Sequence, residues 1–376
     1  MGIGTVVRTA FRGVDGLAAL GVVATAAAFG LGLLGREHWQ ADLLSHFRVQ
    51  YVLALLLAGA YFLLRRRWFL LLPTLAVLAY VSWPVADYFF PHASGTVGHD
   101  KWQLRVMSLN VDASNDRADL VKAAIEEANP DVLFLPEATA TWAEALAPLR
   151  TRYRYGTGDG AQGVFSLLLL SQLPIRDAQV IQLSDDRWPT IIARICPSEA
   201  ADPKDCIGFV GIHPPPPMDE SLAARRNAVF QAVPDAIAKV SPGPIIVAGD
   251  FNCTPWSPYF ADLLAAAGLH DSALGFGIWP TWNSSLLPLG IKIDHVLVAD
   301  GVVVRNHMVG GDVGSDTLPT ASAKSMNFGS VCASLGSSAP ETMTVRRLGD
   351  LDAAGRKVLA SAVSAISAAG RRSSMQ

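Results

Sequence analysis

Residues 245–252 read Ile-Ile-Val-Ala-Gly-Asp-Phe-Asn. The apolar run Ile245–Ala248 has the length of a short strand, and it stops on a glycine, an acid and an amide. The same design recurs upstream. Leu104–Asn110 reads as a strand ending on Asn110. Val132–Leu135 is apolar on both faces, as a buried strand is, and ends at Pro136-Glu137. Ile207–Ile212 ends at His213. Singly, each ending has an ordinary reading. Asn110 is a turn former, Glu137 an acid ahead of a helix containing Trp142, His213 a loop histidine before Pro214–Pro217, and Asp250 and Asn252 turn residues. Four such endings in succession carry more weight, because strand ends in a layered α/β fold converge on one edge, where ligands bind.

The intervening segments suit that fold. Ala118–Ala128 places Leu120, Val121, Ala124, Ile125 and Ala128 on one helical face. Val164–Leu170 and Thr190–Ile195 read as further strands. Ser221–Val240 reads as a helix that Pro234 kinks or splits, and Pro258–Ala267 as a helix. Ile293–Val298 and Val302–Met308 look like a strand pair about Ala299-Asp300-Gly301. Adjacent strands mixed with strand–helix alternation favour layered α/β over an all-parallel sheet.

Brought together, these endings supply hard oxygen ligands for Mg²⁺, a cation donor for a phosphate oxygen, and a carboxylate beside an amide to orient a nucleophile. In this order, Ser108-Leu109-Asn110, Leu135-Pro136-Glu137, Ile212-His213, Gly249-Asp250-Phe251-Asn252 and Ile293-Asp294-His295 resemble the endonuclease/exonuclease/phosphatase superfamily. That group includes deoxyribonuclease I, exonuclease III, sphingomyelinases and inositol-polyphosphate 5-phosphatases. The resemblance runs from about Leu104 to Asp316 and implies a four-layer α/β sandwich, two β-sheets flanked by helices. It implies metal ligation by Glu137 with Asn110 and Asp316, and Mg²⁺ (or Mn²⁺) as cofactor. It makes His213 the donor to the phosphate and Asp250 the residue that activates or orients the attacking water. Asn252 becomes the amide that positions that water, and Asp294 the partner of a final histidine. Asn110, Asn252 and His213 would also hold the substrate. His295, one residue on, should face the opposite side of its strand as a packed or hydrogen-bonded histidine.

The chain departs from that pattern at its end. Where the superfamily has Ser-Asp-His and an apolar strand, it reads Ser315-Asp316-Thr317-Leu318-Pro319. A threonine cannot serve as general base near neutral pH. Thr320–Asn327 gives no convincing strand, and residues 318–376 read as a divergent tail rich in Ser, Ala and Gly with a weak helix around Leu348–Ile366. Two explanations stand. An altered C-terminus impairs the enzyme, or His270, His307 or a metal-bound water fills the role.

The first hundred residues have another character. Gly16–Gly35 is uncharged and, at about 1.5 Å per residue, reaches about 30 Å, a bilayer core. Val49–Leu64 and Trp68–Ala86 follow, separated by Arg65-Arg66-Arg67 and flanked by Trp68, Trp83, Tyr88, Phe89 and Phe90, as an interfacial belt would be. Pro73 and Pro84 are tolerable in a spanning helix. A cleaved signal peptide is the other reading of the first run, but its apolar stretch is too long and two more follow. Three spans (about 16–35, 49–64 and 68–86), with Arg8, Arg12 and the triple-Arg turn inside, put the rest outside the cell (inner) membrane. This look resembles a bacterial membrane-anchored branch of the superfamily. Residues 1–100 are then an anchor and 101–317 the catalytic domain.

Cys196 and Cys206 end two apolar runs that a hairpin would bring together, either as a disulfide, which an oxidising compartment would preserve, or as two buried thiols. Composition narrows the partners. The 376 residues are 51% hydrophobic and 17% charged, with mean hydropathy +0.30, which excludes a disordered chain. Of 30 Lys+Arg and 33 Asp+Glu, 23 and 28 lie from Lys101 onward, leaving −5 there and no strong basic patch for nucleic acid. The expected substrate is a phosphate ester: a phospholipid head group, a nucleic acid fragment or a small phosphodiester. The competing readings are a membrane-tethered pseudoenzyme that binds phosphate compounds without turnover, and a membrane protein whose domain only binds partners.

Overall fold

A computed structural model describes residues 3–90, 99–158, 163–183, 188–283, 289–320 and 331–337, with the backbone alone for 3–12, 99–102 and 331–337. The helix read around Leu348–Ile366 and most of Thr320–Asn327 lie outside the described residues.

The uncharged runs fold as α1 (Ile3–Gly32), α3 (Arg48–Leu64) and α4 (Trp68–Ala86), with a short α2 (Trp39–Ser45) before α3. Gly13–Gly32 and Trp68–Ala86 are each long and apolar enough to cross a membrane. The pair α2 and α3, bent by 53°, makes a third only if it is one broken span. Phe29, Leu55 and Val81 pack together inside this bundle. Leu17, Leu20, Leu57, Leu64, Phe69, Leu72 and Trp83 face outward, an apolar surface that a soluble protein would bury. Asp15 of α1 pairs with Arg67 at 2.6 Å and accepts from the Tyr61 hydroxyl at 2.9 Å, so that part of α1 lies beside the triple-Arg turn. At the other end of α4, Trp83, Phe89 and Phe90 are exposed, as a belt would be. Tyr88 differs from expectation. It is buried, its hydroxyl donates to Asp271 Oδ2 at 3.1 Å, and its ring packs edge-on against Trp256.

The remainder is built in chain order from β1 (His99–Ser108), α5 (Ala118–Ala128), β2 (Val132–Pro136), α6 (Ala140–Ala145), β3 (Tyr155–Gly158), β4 (Leu167–Ser171), β5 (Ile175–Gln182), β6 (Pro189–Ile195) and β7 (Ile207–Ile212). It continues with α7 (Glu220–Val240), β8 (Ile245–Asp250), α8 (Pro258–Ala267), β9 (Leu269–Asp271), β10 (Asp294–Ala299), β11 (Val303–Val304) and β12 (Val331–Ser337). One sheet has β1-β2-β4-β3 as its body, extended beyond β1 by β12 and β11. The other runs β5-β6-β7-β8-β10-β9. Period-two alternation explains the layers. Val106, Phe134, Phe209, Ile246 and Val296 meet between the sheets. Their neighbours Met107 and Leu133 turn to α5 and Trp142, while Val210 and Val247 turn to Phe230 of α7 and Phe260 of α8. The result is the four-layer α/β sandwich. Gly211 lets β7 approach the facing sheet, since a Cβ there would lie 2.4 Å from the Phe134 ring.

Three expectations change. Pro234 sits within a continuous α7, whose Phe230, Val233, Ala236 and Val240 are buried on the sheet and hold the helix across the missing hydrogen bond. Val302–Met308 does not pair with the preceding strand. β10 lies between β8 and β9, and Val303–Val304 pairs with β12 in the other sheet. Within the segment read as tail, β12 pairs antiparallel with β1, and Thr320 bridges Ser108 through a 3.1 Å backbone bond. Between the two readings of Cys196 and Cys206, the structure has the disulfide. It sits just beyond the Ile195–Ile207 pair of the β6–β7 hairpin.

Candidate active site

β1 and β2 run parallel in one sheet, β7 and β8 parallel in the other, and their C-terminal ends meet. β10 runs against β8 with Asp294 opposite Asp250, so a strand start joins the strand ends. The backbone here is unusual. Glu137 (φ 61°), Asn252 (φ 48°) and Asp112 (φ 58°) are left-handed non-glycine residues, a conformation that costs energy and clusters at functional sites. Gly249 (φ 150°) must be glycine, because a Cβ would fall 1.9 Å from Ile212 O.

Asn110, Glu137, His213, Asp250 and Asn252 come together. Asn110 Nδ2 donates to Glu137 Oε1 at 2.9 Å and to Asp250 Oδ2 at 3.2 Å. Its oxygen, the atom a metal would use, accepts from the Asp112 N–H at 3.0 Å, so Asn110 presents a donor to the site. Glu137 Oε2 accepts from the Ala113 N–H at 3.1 Å. His213 Nε2 stands 3.9 Å from both Glu137 and Asp250, while its Nδ1 is buried without a partner. Asp250 Oδ1 accepts from the Asn252 N–H, and Asn252 Nδ2 donates to Pro214 O at 3.0 Å, tying the Asp250 loop to the His213 loop.

Carboxylates accumulate faster than cations. Burial pushes the Asp250 carboxyl up against the opposing pull of His213. Burial, then the neighbouring Asp250, pushes Asp294 well up. Asp316 accepts from Trp282 Nε1 at 3.1 Å. Burial raises its carboxyl, with Asp250, Asp112 and Glu137 adding to the rise.

Thr317 is buried at the edge of this group. Its hydroxyl donates to Asn110 O at 3.4 Å and lies 3.3 Å from Ser315 Oγ. Asp294 is 1% exposed, and the Thr281 hydroxyl and Lys292 only partly offset the burial of its carboxylate. The two histidines considered as substitutes stand elsewhere. His270 is exposed and bonds Asp300 at 2.7 Å. His307 is buried on Ser272 Oγ, and burial beside Lys292 pushes it down to about 3. His295 faces away from Asp294, as strand alternation requires. It bonds Cys253 O, Asp271 and Lys292, and burial with Lys292 beside it pushes it down to about 4.

Among the described residues no three His, Cys, Asp or Glu side chains are gathered as a ready metal cage. The site still fits Mg²⁺, which keeps several waters and needs only one or two carboxylates. Glu137 is part-exposed, and His213 only partly offsets the acids raised around it. Sequence reasoning missed Trp282, and it missed Arg226 of α7, whose guanidinium donates to Asn252 O at 3.4 Å. No spacing or periodicity links either to the site.

The Endonuclease/Exonuclease/phosphatase family model matches residues 107–317. No curated protein matches. Among solved structures, the chain is similar to Danio rerio TDP2 complexed with single-strand DNA product (19% identity, 58% of this chain and 97% of that one, TM-score 0.49). It is similar to the Neisseria 3′ phosphatase NExo bound to a product DNA hairpin (19%, 58% and 97%, TM-score 0.48). It is also similar to an endonuclease/exonuclease/phosphatase from Beutenbergia cavernae (19%, 64% and 73%, TM-score 0.47).

Proposed function

Because the chain belongs to the endonuclease/exonuclease/phosphatase family, we propose that it is a membrane-anchored, metal-dependent phosphoric ester hydrolase whose turnover is impaired by Thr317. The observation that carries this reading is the convergence of Asn110, Glu137, His213, Asp250 and Asn252, from the ends of four separate strands, on one pair of carboxylates. Glu137, with Asp316 at the rim, would hold Mg²⁺ or Mn²⁺, which when bound neutralises phosphate oxygens and acidifies water. His213 donates to a phosphate oxygen from Nε2. Asp250 orients the attacking water and, with threonine rather than an imidazole at 317, is left to take its proton as well. Asn110 holds the Glu137 and Asp250 carboxylates apart, and Asn252 keeps the Asp250 and His213 loops in register. Asp294 has no imidazole to orient.

The purified full-length protein should cleave bis(p-nitrophenyl) phosphate or p-nitrophenyl phosphate slowly with Mg²⁺ or Mn²⁺, and chelation should stop it. Metal-dependent phosphate binding with no cleavage of either compound would replace this reading by the pseudoenzyme, which the threonine at 317 in place of a histidine favours.

The substrate is a phosphate ester, met at the membrane. The −5 charge of residues 101–376 disfavours duplex DNA, leaving phospholipid head groups, nucleic acid fragments or small diesters. The proposed topology has three spans with the catalytic domain outside. Two features support it. The triple-Arg turn lies beside Asp15, at the far end of α4 from the Tyr88 contact with the domain. The Cys196–Cys206 disulfide also suits an oxidising compartment. Reporter fusions after Arg67 and after His99 should report opposite sides of the membrane, and two cytoplasmic signals would end the topology.

A further inference from the structure

The apolar helices do more than adjoin the catalytic domain. Two lines of polar contacts run from them to backbone atoms of the site. In the first, Asp42 of α2 and Arg226 of α7 form an ion pair at 2.6 Å with side chains 2% and 1% exposed. The same guanidinium donates to Asn252 O at 3.4 Å and lies over the Phe230 and Tyr259 rings. Beside it, His46 Nδ1 meets Thr254 Oγ1 at 2.9 Å, so the α2–α3 turn also touches the Asp250–Thr254 loop directly. In the second line, the Tyr88 hydroxyl donates to Asp271 Oδ2 at 3.1 Å. Asp271 Oδ2 lies 3.2 Å from Lys292 Nζ, and Lys292 Nζ donates to Asp294 O at 2.9 Å.

Desolvating two charges is seldom repaid in stability, so a buried ion pair is better explained by the geometry it imposes. The atoms these lines reach are the carbonyls of Asn252, held left-handed at φ 48°, and of Asp294. A left-handed non-glycine residue persists only where its surroundings over-determine it. We propose that Asp42 and Tyr88, at the membrane end of the molecule, are positioning residues for the hydrolysis: Asp42 acts through Arg226 on the Asp250–Asn252 loop, and Tyr88 through Asp271 and Lys292 on Asp294. The helical bundle is then part of the active-site scaffold. This rests on the phosphoesterase reading of the site.

The test uses the full-length protein in nanodiscs, as parent, Asp42→Asn and Tyr88→Phe, the last removing a single hydroxyl. Steady-state kinetics on bis(p-nitrophenyl) phosphate with Mn²⁺ are read beside amide hydrogen exchange. Misplacing a catalytic group by a fraction of an ångström should lower kcat by about ten- to a hundred-fold while KM stays within about two-fold. Exchange should quicken at residues 250–254 in Asp42→Asn and at 292–296 in Tyr88→Phe, with the rest of both sheets protected as in the parent. Parental kcat in both folded variants overturns the proposal. So does exchange that quickens throughout the sheets or only within the helices. A parent that cleaves nothing counts against the phosphoesterase reading, and the exchange pattern then decides the positioning role by itself.

Discussion

Thr317→His is expected to raise turnover by about a hundred- to ten-thousand-fold, the usual contribution of a positioned general base. The argument rests on what surrounds the position. Thr317 is buried, with its hydroxyl on Asn110 O, and Asn110 itself bridges Glu137 and Asp250. Its backbone is held against the 281–282 segment, by a bridge to Trp282 and by the Leu318 N–H on Thr281 O. Thr281 Oγ1 in turn accepts from the Ile293 and Asp294 N–H groups, so the 317 segment and the start of β10 share an anchor. Asp294 is buried, and its acidity is suppressed by burial and by Asp250 against the smaller pull of the Thr281 hydroxyl and Lys292. An imidazole from position 317 would give it a donor and would gain a fixed tautomer in return, as in a triad. The gain should vanish in Thr317→His with Asp294→Asn, measured as kcat on bis(p-nitrophenyl) phosphate. A well-folded single variant with parental kcat would overturn the account, and so would a parent already turning over at ordinary enzymatic rates. His270 and His307 are poor substitutes, one exposed on Asp300 and the other enclosed with Ser272.

The strands that were legible in the sequence are those buried on both faces. β7 and β8 are buried at every residue, and their apolar runs need no partner to be recognised. β5 was missed because it is an edge strand. Its Asp177, Ala178 and Gln179 face solvent in succession, so neither a run nor a clean alternation shows. β9 has three residues, too short for any periodicity to register, and β11 keeps two residues of the longer strand read at Val302–Met308. The pairing of β11 with β12 depends on partners nearly thirty residues apart, whereas the turn at Ala299–Gly301 suggested a local hairpin. Asn110, Glu137, His213 and Asp250 were visible because each ends an apolar run, whereas Asp294 and Asp316 came from the resemblance alone. Asp42 and Arg226 were not, since their meaning lies in a contact between residues 184 positions apart. Asp42 alone reads as one more charge in a loop.

Glu137→Gln and Asp250→Asn should both remove activity, but for different reasons that metal binding separates. Glu137 is the part-exposed carboxylate, with one oxygen on Asn110 Nδ2 and the other on the Ala113 N–H. Glutamine keeps its volume but loses the negative charge and turns a donor toward one of those two donors. The Mn²⁺ affinity should fall with the rate, because too little charge remains to hold a hard cation. The several kcal/mol of charge stabilisation such a cation supplies correspond to about a thousand-fold or more in kcat. Asp250 is buried and sits opposite Asp294 in the β8–β10 register. Asparagine there still accepts from the Asn252 N–H and removes one of two crowded acids. Mn²⁺ affinity measured by electron paramagnetic resonance should therefore stay near the parent's while kcat falls about a hundred- to ten-thousand-fold. A pH signature accompanies it. Both carboxyls are raised in the folded chain, so the stability they allow is full below their unfolded values and is lost as pH rises through the raised ones. Without metal, the parent's melting temperature should decline as pH climbs above the ordinary carboxylate range, and Asp250→Asn should flatten that decline by sparing Asp294 its charged neighbour. If Glu137→Gln binds Mn²⁺ and turns over like the parent, the metal is held elsewhere. If Asp250→Asn keeps the full decline, the two acids are not coupled across the strands.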